Sequence, residues 1–112
     1  MIMSRESLGN FELMVLLALI RLGDDAYGVP IALALEEALE REVAAASVYA
    51  ALERLSQKGF VHSRMGESTP ERGGRARKYF RVTAAGLKEV RITRDALTSL
   101  WRGLPALKGG SV

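Results

Sequence analysis

The chain has 112 residues, of which 48% are hydrophobic and 26% are charged, a size and composition typical of one small folded domain. It contains no cysteine, which excludes disulfide bonds and thiolate metal sites and makes a reducing cytoplasm the expected location. The longest apolar run, residues 13–20, is far shorter than the roughly 20 residues that cross a bilayer, so we expect a buried helix there and no membrane partner.

The charged residues are unevenly distributed, although the formal net charge is only +3. Residues 24–42 hold six acidic side chains and one basic one, whereas residues 54–81 hold eight basic and two acidic ones. Runs of charge are commonly no more than solvated surface. A basic cluster on two neighbouring elements, with the acidic residues elsewhere, is instead typical of a surface that binds nucleic acid.

The first part of the chain predicts two helices. Asn10 can cap a first helix over residues 11–22, which is apolar on nearly every side and should be buried on more than one. After a loop at residues 23–28, Pro30 suits the first turn of a second helix over residues 29–40. The buried side of this second helix is expected to hold Ile31, Leu35, Ala38 and Leu39.

The third predicted helix, residues 44–59, is the candidate recognition helix. Val48, Leu52 and Leu55 form an apolar stripe that faces a core, and Gly59 ends the helix. The opposite side carries short side chains near its N-terminus and can approach another surface closely. Taken alone, this pattern is more typical of an ordinary amphipathic helix. Its short connection to the second helix and the basic segment that follows favour a helix-turn-helix unit.

We expect the exposed side of this helix to meet double-stranded DNA. Arg54 and Ser47 can donate hydrogen bonds to base edges or phosphates, and Tyr49 can donate one to a phosphate. Two alanines can contact the methyl groups of thymines. The predicted contact residues on or at the end of this helix are Ala46, Ser47, Tyr49, Ala50, Arg54 and Lys58.

From Phe60 onward the apolar pattern changes to a period of two, which predicts β-strands. The two strands, residues 60–65 and 75–82, are joined by residues 66–74, whose proline and paired glycines favour a turn. A helix-turn-helix followed by such a hairpin is a winged helix. The sequence therefore predicts a mainly α fold with a small β-hairpin.

The outer side of the hairpin is predicted to be basic, because Phe80 and Val82 are expected to pack inward. Paired glycines at the turn would let the hairpin lie along the DNA backbone or enter the minor groove. Residues 1–82 are thus predicted to form a winged helix-turn-helix DNA-binding domain. Its predicted DNA contacts in the hairpin are Arg72, Gly73, Gly74, Arg75, Arg77 and Lys78.

A fourth helix is predicted over residues 84–104, with Thr83 as its N-cap and Pro105 beyond its end. Its apolar residues follow a heptad pattern and have no partner left within the chain, since the core is already formed upstream. Residues 83–112 are therefore expected to form a C-terminal dimerisation helix and tail that makes a homodimer. The predicted interface residues are Leu87, Val90, Leu97, Trp101 and Leu104.

Trp101, the only tryptophan, allows two interpretations. It can simply fill the dimer interface. It can also form one wall of an effector site between subunits that takes a small planar aromatic ligand.

The sequence offers no recognisable catalytic or cofactor site. His62 lies on a predicted strand without nearby acidic or thiol residues that could complete a metal site. No glycine-rich phosphate loop, Ser/His/Asp set or pair of carboxylates suited to a cleft is visible. We therefore expect no metal, no cofactor and no enzymatic activity.

Several segments, in this order along the chain, resemble the PadR family of bacterial transcriptional regulators. The most specific are Val-Tyr-x-x-Leu-x-Arg-Leu at residues 48–55 and Gly-Gly-Arg-x-Arg-Lys-Tyr at residues 73–79. Further matching segments are residues 8–13, 24–28, 58–61 and 83–86. The chain is similar to the short form of the family with a single C-terminal helix, and it has Ala44 where the family usually has Ser or Thr.

The resemblance implies a dimeric winged-helix repressor that reads DNA with its third helix and its wing and dimerises through its C-terminal helix. Some relatives respond to phenolic acids or drugs bound near the dimer axis. The function predicted on all these grounds is a DNA-binding transcriptional regulator, a repressor that binds a palindromic operator and is open to release by a small aromatic effector. The alternative is a small-molecule or protein-interaction module that uses the winged-helix scaffold without DNA.

Overall fold

The computed structural model describes residues 8–67 and 76–107. In these ranges the chain forms helices α1 (Asn10–Leu22), α2 (Gly28–Leu39), α3 (Ala45–Gln57) and α4 (Ala84–Trp101), and strands β1 (Val61–Met65) and β2 (Lys78–Val82). The two strands pair antiparallel, and short 3-10 turns lie at Gly23–Asp25 and Pro105–Leu107. The predicted fold class, mainly helical with one hairpin, is confirmed.

The core lies where α1, α2 and α3 pack against one another and against the base of the hairpin. The predicted stripe of α3 is buried in it, as are Ile31 and Leu35 of α2. Two predictions for α2 need correction. Leu39 is only half-buried, and Ala38 is exposed because it borders a surface groove between α1 and α2. The fully or almost fully buried large side chains are Val15, Leu16, Ile31, Val48, Leu52 and Leu55.

The helix ends follow local chemistry, with one difference from the prediction. The N-cap of α1 is Gly9 rather than Asn10, and the Glu12 carboxylate accepts a hydrogen bond from the Gly9 backbone amide at 2.8 Å. At the N-cap of α3, Ala44 makes no side-chain hydrogen bond. The end of α3 is a Schellman motif, in which Gly59 has a φ of +80° and the Phe60 amide donates to the Leu55 carbonyl oxygen at 2.9 Å.

The described strands of the hairpin pack against the core mainly at their base. Val61 is the single buried residue of β1 and is paired with Val82 of β2, which is half-buried; Phe80 of β2, opposite Ser63, is buried. Phe80 and Val82 thus pack inward, as predicted. The loop between α1 and α2 also joins the sheet, because the Phe80 amide donates to the Ala26 carbonyl oxygen at 2.8 Å and Tyr27 forms a bridge with Tyr79. This additional pairing fixes the hairpin relative to the start of α2.

Helix α4 begins as predicted and ends earlier than predicted. The Thr83 hydroxyl oxygen accepts a hydrogen bond from the Gly86 amide at 3.0 Å, which confirms Thr83 as the N-cap. The helix ends at Trp101 instead of residue 104, because the chain turns at Gly103, where φ is +78°. Leu104 therefore lies beyond the helix, and its predicted position on a continuous helical seam is wrong.

Candidate nucleic-acid interface

The outer face of α3 is a smooth surface made of short side chains. Ala46, Ser47 and Ala50 are exposed, and Val48 and Leu52 on the opposite side are buried to at least 99% of their surface. The packed core thus holds the helix from behind. The arrangement predicted from the sequence, with a close-approach surface near the N-terminus of α3, is present.

Tyr49 lies at one edge of this surface and connects three elements. Its ring centroid is 6.4 Å from that of Phe80 on β2, and its hydroxyl lies against Gly28 at the start of α2. A methyl group on Gly28 would overlap the Tyr49 hydroxyl, so this close approach depends on glycine. Tyr49 remains 48% exposed, which leaves part of the ring accessible to another molecule.

Arg54 and Lys58, both predicted DNA contacts, share one carboxylate from α1. Arg54 Nε donates to Glu12 Oε2 at 2.9 Å, and Lys58 Nζ donates to Glu12 Oε1 at 2.8 Å. Burial alone would raise the pKa of Glu12, but the hydrogen bonds from Lys58, the Gly9 amide and Arg54 outweigh it and lower the pKa to about 2. Glu12 was not among the residues predicted to belong to the site.

The end of the strand pair at Met65 and Lys78, away from the core, carries a stack of two arginines and two tyrosines. The guanidinium carbon of Arg77 lies 4.0 Å from the centroid of the Tyr27 ring, and that of Arg64 lies 4.7 Å from the Tyr79 ring. The two tyrosine rings meet edge to face, 5.5 Å apart. Of these four residues, only Arg77 was predicted from the sequence to contact DNA.

Two further basic residues of the hairpin, Lys78 and Arg81, lie on β2. Lys78 is exposed, with its Nζ 5.8 Å from the centroid of the Phe80 ring. Arg81 is paired with Asp24 of the α1–α2 loop at 2.8 Å. Four predicted DNA contacts lie outside the described residues: Arg72, Gly73, Gly74 and Arg75.

A second surface, on the side of α1 that faces α4, is apolar. It is a cavity of about 770 Å³ lined by Leu13 and Leu17 of α1 and by Val90, Leu97 and Trp101 of α4, with polar residues at its rim. We call it the α1–α4 groove. Three of these five residues, Val90, Leu97 and Trp101, belong to the predicted seam, and the two from α1 were not predicted.

The predicted interface residues of α4 differ in how much they use their own chain. Val90 is half-buried and packs against the core, so its own chain already covers part of its side chain. Leu97 and Trp101 are each 43% exposed, and Leu100, which was not predicted, is 74% exposed. Leu87 is also exposed. The distal half of α4 is therefore the part that leaves most apolar surface in water.

Two further features of the described residues concern other classes of function. In residues 8–67 and 76–107, no group of three or more acidic or histidine side chains is arranged to hold a metal ion. Within those same ranges, no helix combines the length and the hydrophobicity needed to span a membrane.

The three-helix core, the exposed α3 and the basic hairpin together define a winged helix-turn-helix protein, a class that binds DNA. The profile of the transcriptional regulator PadR-like family matches residues 16–92. The chain therefore belongs to the PadR-like family, and it is a DNA-binding transcriptional regulator.

Solved structures of other proteins give the same assignment. The chain is similar to a PadR family transcriptional regulator from Eggerthella lenta, with 26% identity over 88% of this chain and 83% of the other, and a TM-score of 0.67. A transcriptional regulator from Clostridium thermocellum is 25% identical over 81% of this chain and 82% of the other, also with a TM-score of 0.67. A PadR family regulator from Clostridium difficile, at 22% identity, shares the fold over 90% of this chain and all of the other, with a TM-score of 0.68. No curated protein sequence matches the chain.

Proposed function

We propose that this chain is a transcriptional repressor that binds a palindromic operator as a homodimer, with one α3 helix and one hairpin from each copy. The outer face of α3 is the observation that carries the proposal. Ala46, Ser47 and Ala50 are exposed there, and the buried side chains behind them hold the helix in place. A helix with short outward side chains suits the major groove, which is about 12 Å wide.

The basic residues beside α3 supply the contacts that orient the protein on DNA. Contacts to phosphates fix the register, and contacts to base edges specify the sequence. In this proposal Arg77 and Lys78 bind phosphates, and so do Arg72 and Arg75, which were predicted from the sequence to contact DNA. Arg54 and Ser47 donate to base edges in this proposal, because both line one surface cavity together with the exposed Ala50.

Dimerisation through the α1–α4 groove would place two recognition helices on one duplex. The exposed Leu97, Leu100 and Trp101 give each copy an apolar surface that a second copy can cover. Two-fold symmetry then sets the two half-sites one helical turn apart, about 10 bp from centre to centre. Residues 1–82 would bind DNA and residues 83–112 would join the copies.

The binding proposal is tested by selecting duplexes from a random pool with the purified protein and by footprinting the DNA upstream of its own gene. We expect a palindromic sequence, protected symmetrically, and a complex of two chains per duplex in light scattering. Selection of a non-palindromic sequence bound by one chain would contradict the palindromic operator and the dimer. Failure to select or protect any DNA would contradict the whole proposal.

The repressor role needs a separate test. A reporter gene placed behind the selected operator should be expressed less when the chain is present, because a bound dimer occludes the promoter. Increased expression would show an activator instead.

A small aromatic effector is a second candidate role, and the α1–α4 groove is the observation that favours it. The groove holds the indole of Trp101 beside apolar residues of both helices. Titration with planar aromatic compounds should quench Trp101 fluorescence and release the operator. Quenching in a protein that binds no duplex would instead favour the interaction module without DNA.

A further inference from the structure

The carboxylate of Glu12 lies beneath the recognition helix and is almost completely buried. Its side chain is 5% exposed and accepts hydrogen bonds from three donors, namely Lys58 Nζ, Arg54 Nε and the Gly9 amide, at 2.8 to 2.9 Å. Arg54 lies in the last turn of α3, Lys58 is the C-cap of that helix, and Gly9 is the N-cap of α1. One anion therefore connects the N-cap of α1 to the C-terminal end of α3.

This arrangement keeps a negative charge close to the DNA-facing surface. The pKa of Glu12 is held at about 2, so the carboxylate is ionised at every physiological pH. The positive charges of Arg54 and Lys58 are thereby partly compensated within the protein. Because nonspecific affinity for DNA depends on the number of phosphates that cations neutralise, this compensation weakens binding to DNA of any sequence.

The geometry also limits how Arg54 can contact another molecule. Its Nε is engaged by Glu12, while its side chain remains 51% exposed. The donors left for a ligand are those of its two terminal nitrogens, which can bind the two acceptors of guanine or of a phosphate as a pair. Arg54 borders the same surface cavity as Ser47 and Ala50. An arginine anchored through Nε loses less freedom when it forms such a contact.

The carboxylate stabilises the fold through its three hydrogen bonds, and it also acts on the exposed side of α3 in a way that an apolar residue would not. The apolar core already packs α1 against α3 through Leu16, Leu52 and Leu55, each at most 1% exposed. Replacing a buried ion pair with apolar groups of similar size is often neutral for stability or even favourable. Besides its bond to the Gly9 amide, the carboxylate gives Arg54 a fixed orientation and reduces the net charge beside α3.

We infer that Glu12 is a specificity-determining positioning residue for DNA recognition. It orients Arg54 for a base contact, and its negative charge reduces the attraction of Arg54 and Lys58 to the phosphates of nonspecific DNA. The inference rests on the proposed function, because it requires that α3 reads DNA. It concerns the difference in affinity between the operator and other sequences rather than binding itself.

The test compares Glu12→Gln with the wild type on two duplexes, the selected operator and a scrambled sequence, at several salt concentrations. Glu12→Gln keeps the shape of the side chain and removes its charge. We expect the ratio of operator to scrambled affinity to fall about tenfold, the size of one oriented arginine contact. For the scrambled duplex, the slope of log affinity against log salt concentration should steepen by at most the equivalent of about one phosphate contact, because Glu12 no longer compensates the two cations.

Glu37→Gln is the matched control, since it removes one negative charge from an exposed position on α2. It should leave the affinity ratio close to that of the wild type. A ratio unchanged in both variants, while the wild type still prefers its operator, would overturn the inference alone. If the wild type binds neither duplex, the proposed function fails and the inference fails with it.

A measurement on the wild type covers the case in which Glu12→Gln does not fold. The Nε–Hε resonance of Arg54 in a proton–nitrogen spectrum reports its hydrogen bond to Glu12. We expect the resonance to keep its position when either duplex is added, whereas that of Arg77 moves. If DNA binding moved the Arg54 Nε–Hε resonance to the position typical of a solvated arginine, the inference would be overturned.

Discussion

The guanidinium of Arg77 lies over the ring of Tyr27, with 4.0 Å between the guanidinium carbon and the ring centroid. This contact joins the residue just before β2 to the N-cap of α2, next to the bridge between Tyr27 and Tyr79. The orientation of a predicted phosphate-binding arginine thus depends on an aromatic residue that need not touch DNA. The first prediction follows from this relationship.

Tyr27→Leu should weaken operator binding about fivefold, since a cation–π contact of about 1 kcal/mol no longer orders Arg77 before binding. Tyr27→Phe is the control, because it keeps the ring and should bind nearly as well as the wild type. Fluorescence anisotropy on a labelled duplex measures both affinities. Equal affinity for the two variants would mean that the ring does not orient Arg77.

The second prediction concerns the close packing of α4 against the end of α3. A methyl group on Gly86 would overlap the backbone carbonyl oxygen of Phe60 and crowd Val82. Gly86→Ala should therefore lower the free energy of unfolding by about 2 kcal/mol or more, as overpacking does. The exposed neighbour Ala85 offers a control, because Ala85→Gly should cost no more than about 1 kcal/mol. Equal stability of Gly86→Ala and the wild type in urea unfolding would contradict the packing described here.

The third prediction is a dependence of stability on pH. The pKa of Glu12 is about 2 in the folded chain and 4.5 ordinarily. Between these two pH values, the unfolded chain therefore binds a proton that the folded chain does not. The stabilisation by Glu12 is fully present above about pH 5 and is lost as the pH falls toward 2. It amounts to about 3 kcal/mol by linkage.

Urea unfolding at a series of pH values checks this dependence. Between pH 5 and 2, Glu12→Gln should lose less stability than the wild type, because its neutral side chain has no proton to bind. Glu37→Gln should follow the wild type. If Glu12→Gln and the wild type lost stability equally over that range, the carboxylate would not be held ionised by Arg54 and Lys58.

Features set by neighbouring residues could be predicted from the sequence. The buried stripe of α3, the end of that helix at Gly59 and the cap at Thr83 each depend on side chains within one or two turns. The sequence prediction placed the end of α4 too late because it took Pro105 as the stop signal, whereas the chain turns at Gly103. Glycine two residues before proline was the available signal.

Contacts between distant residues could not be predicted. Glu12 meets Arg54 across 42 positions of sequence, and neither residue shows by its type that the other is its partner. The bridge between Tyr27 and Tyr79 likewise depends on how the hairpin folds back against the α1–α2 loop. Such positions lie on segments that the sequence identifies separately, but their relative placement comes from the packing of the whole core.

The fourth prediction tests the dimer. Leu97→Asp should shift the protein toward monomer at micromolar concentration, because a second copy that covers the α1–α4 groove would have to remove the new carboxylate from water, which costs free energy even beside the Arg94 and Arg102 that line the groove. Ser99→Asp adds the same charge at an exposed α4 position outside the residues lining the groove and should remain dimeric. Light scattering gives both masses. A wild type that is monomeric, or a dimer unaffected by Leu97→Asp, would contradict dimerisation through this surface.

The central claim is that the exposed face of α3 contacts DNA, and the affinity of Ala50→Glu for the operator tests it most directly. A glutamate at this exposed position adds bulk and negative charge to the face without disturbing the core. We predict that operator affinity falls about a hundredfold or more, whereas Ala38→Glu on α2, with the same change in charge, binds within about threefold of the wild type. Operator binding by Ala50→Glu as tight as that of Ala38→Glu would contradict the claim.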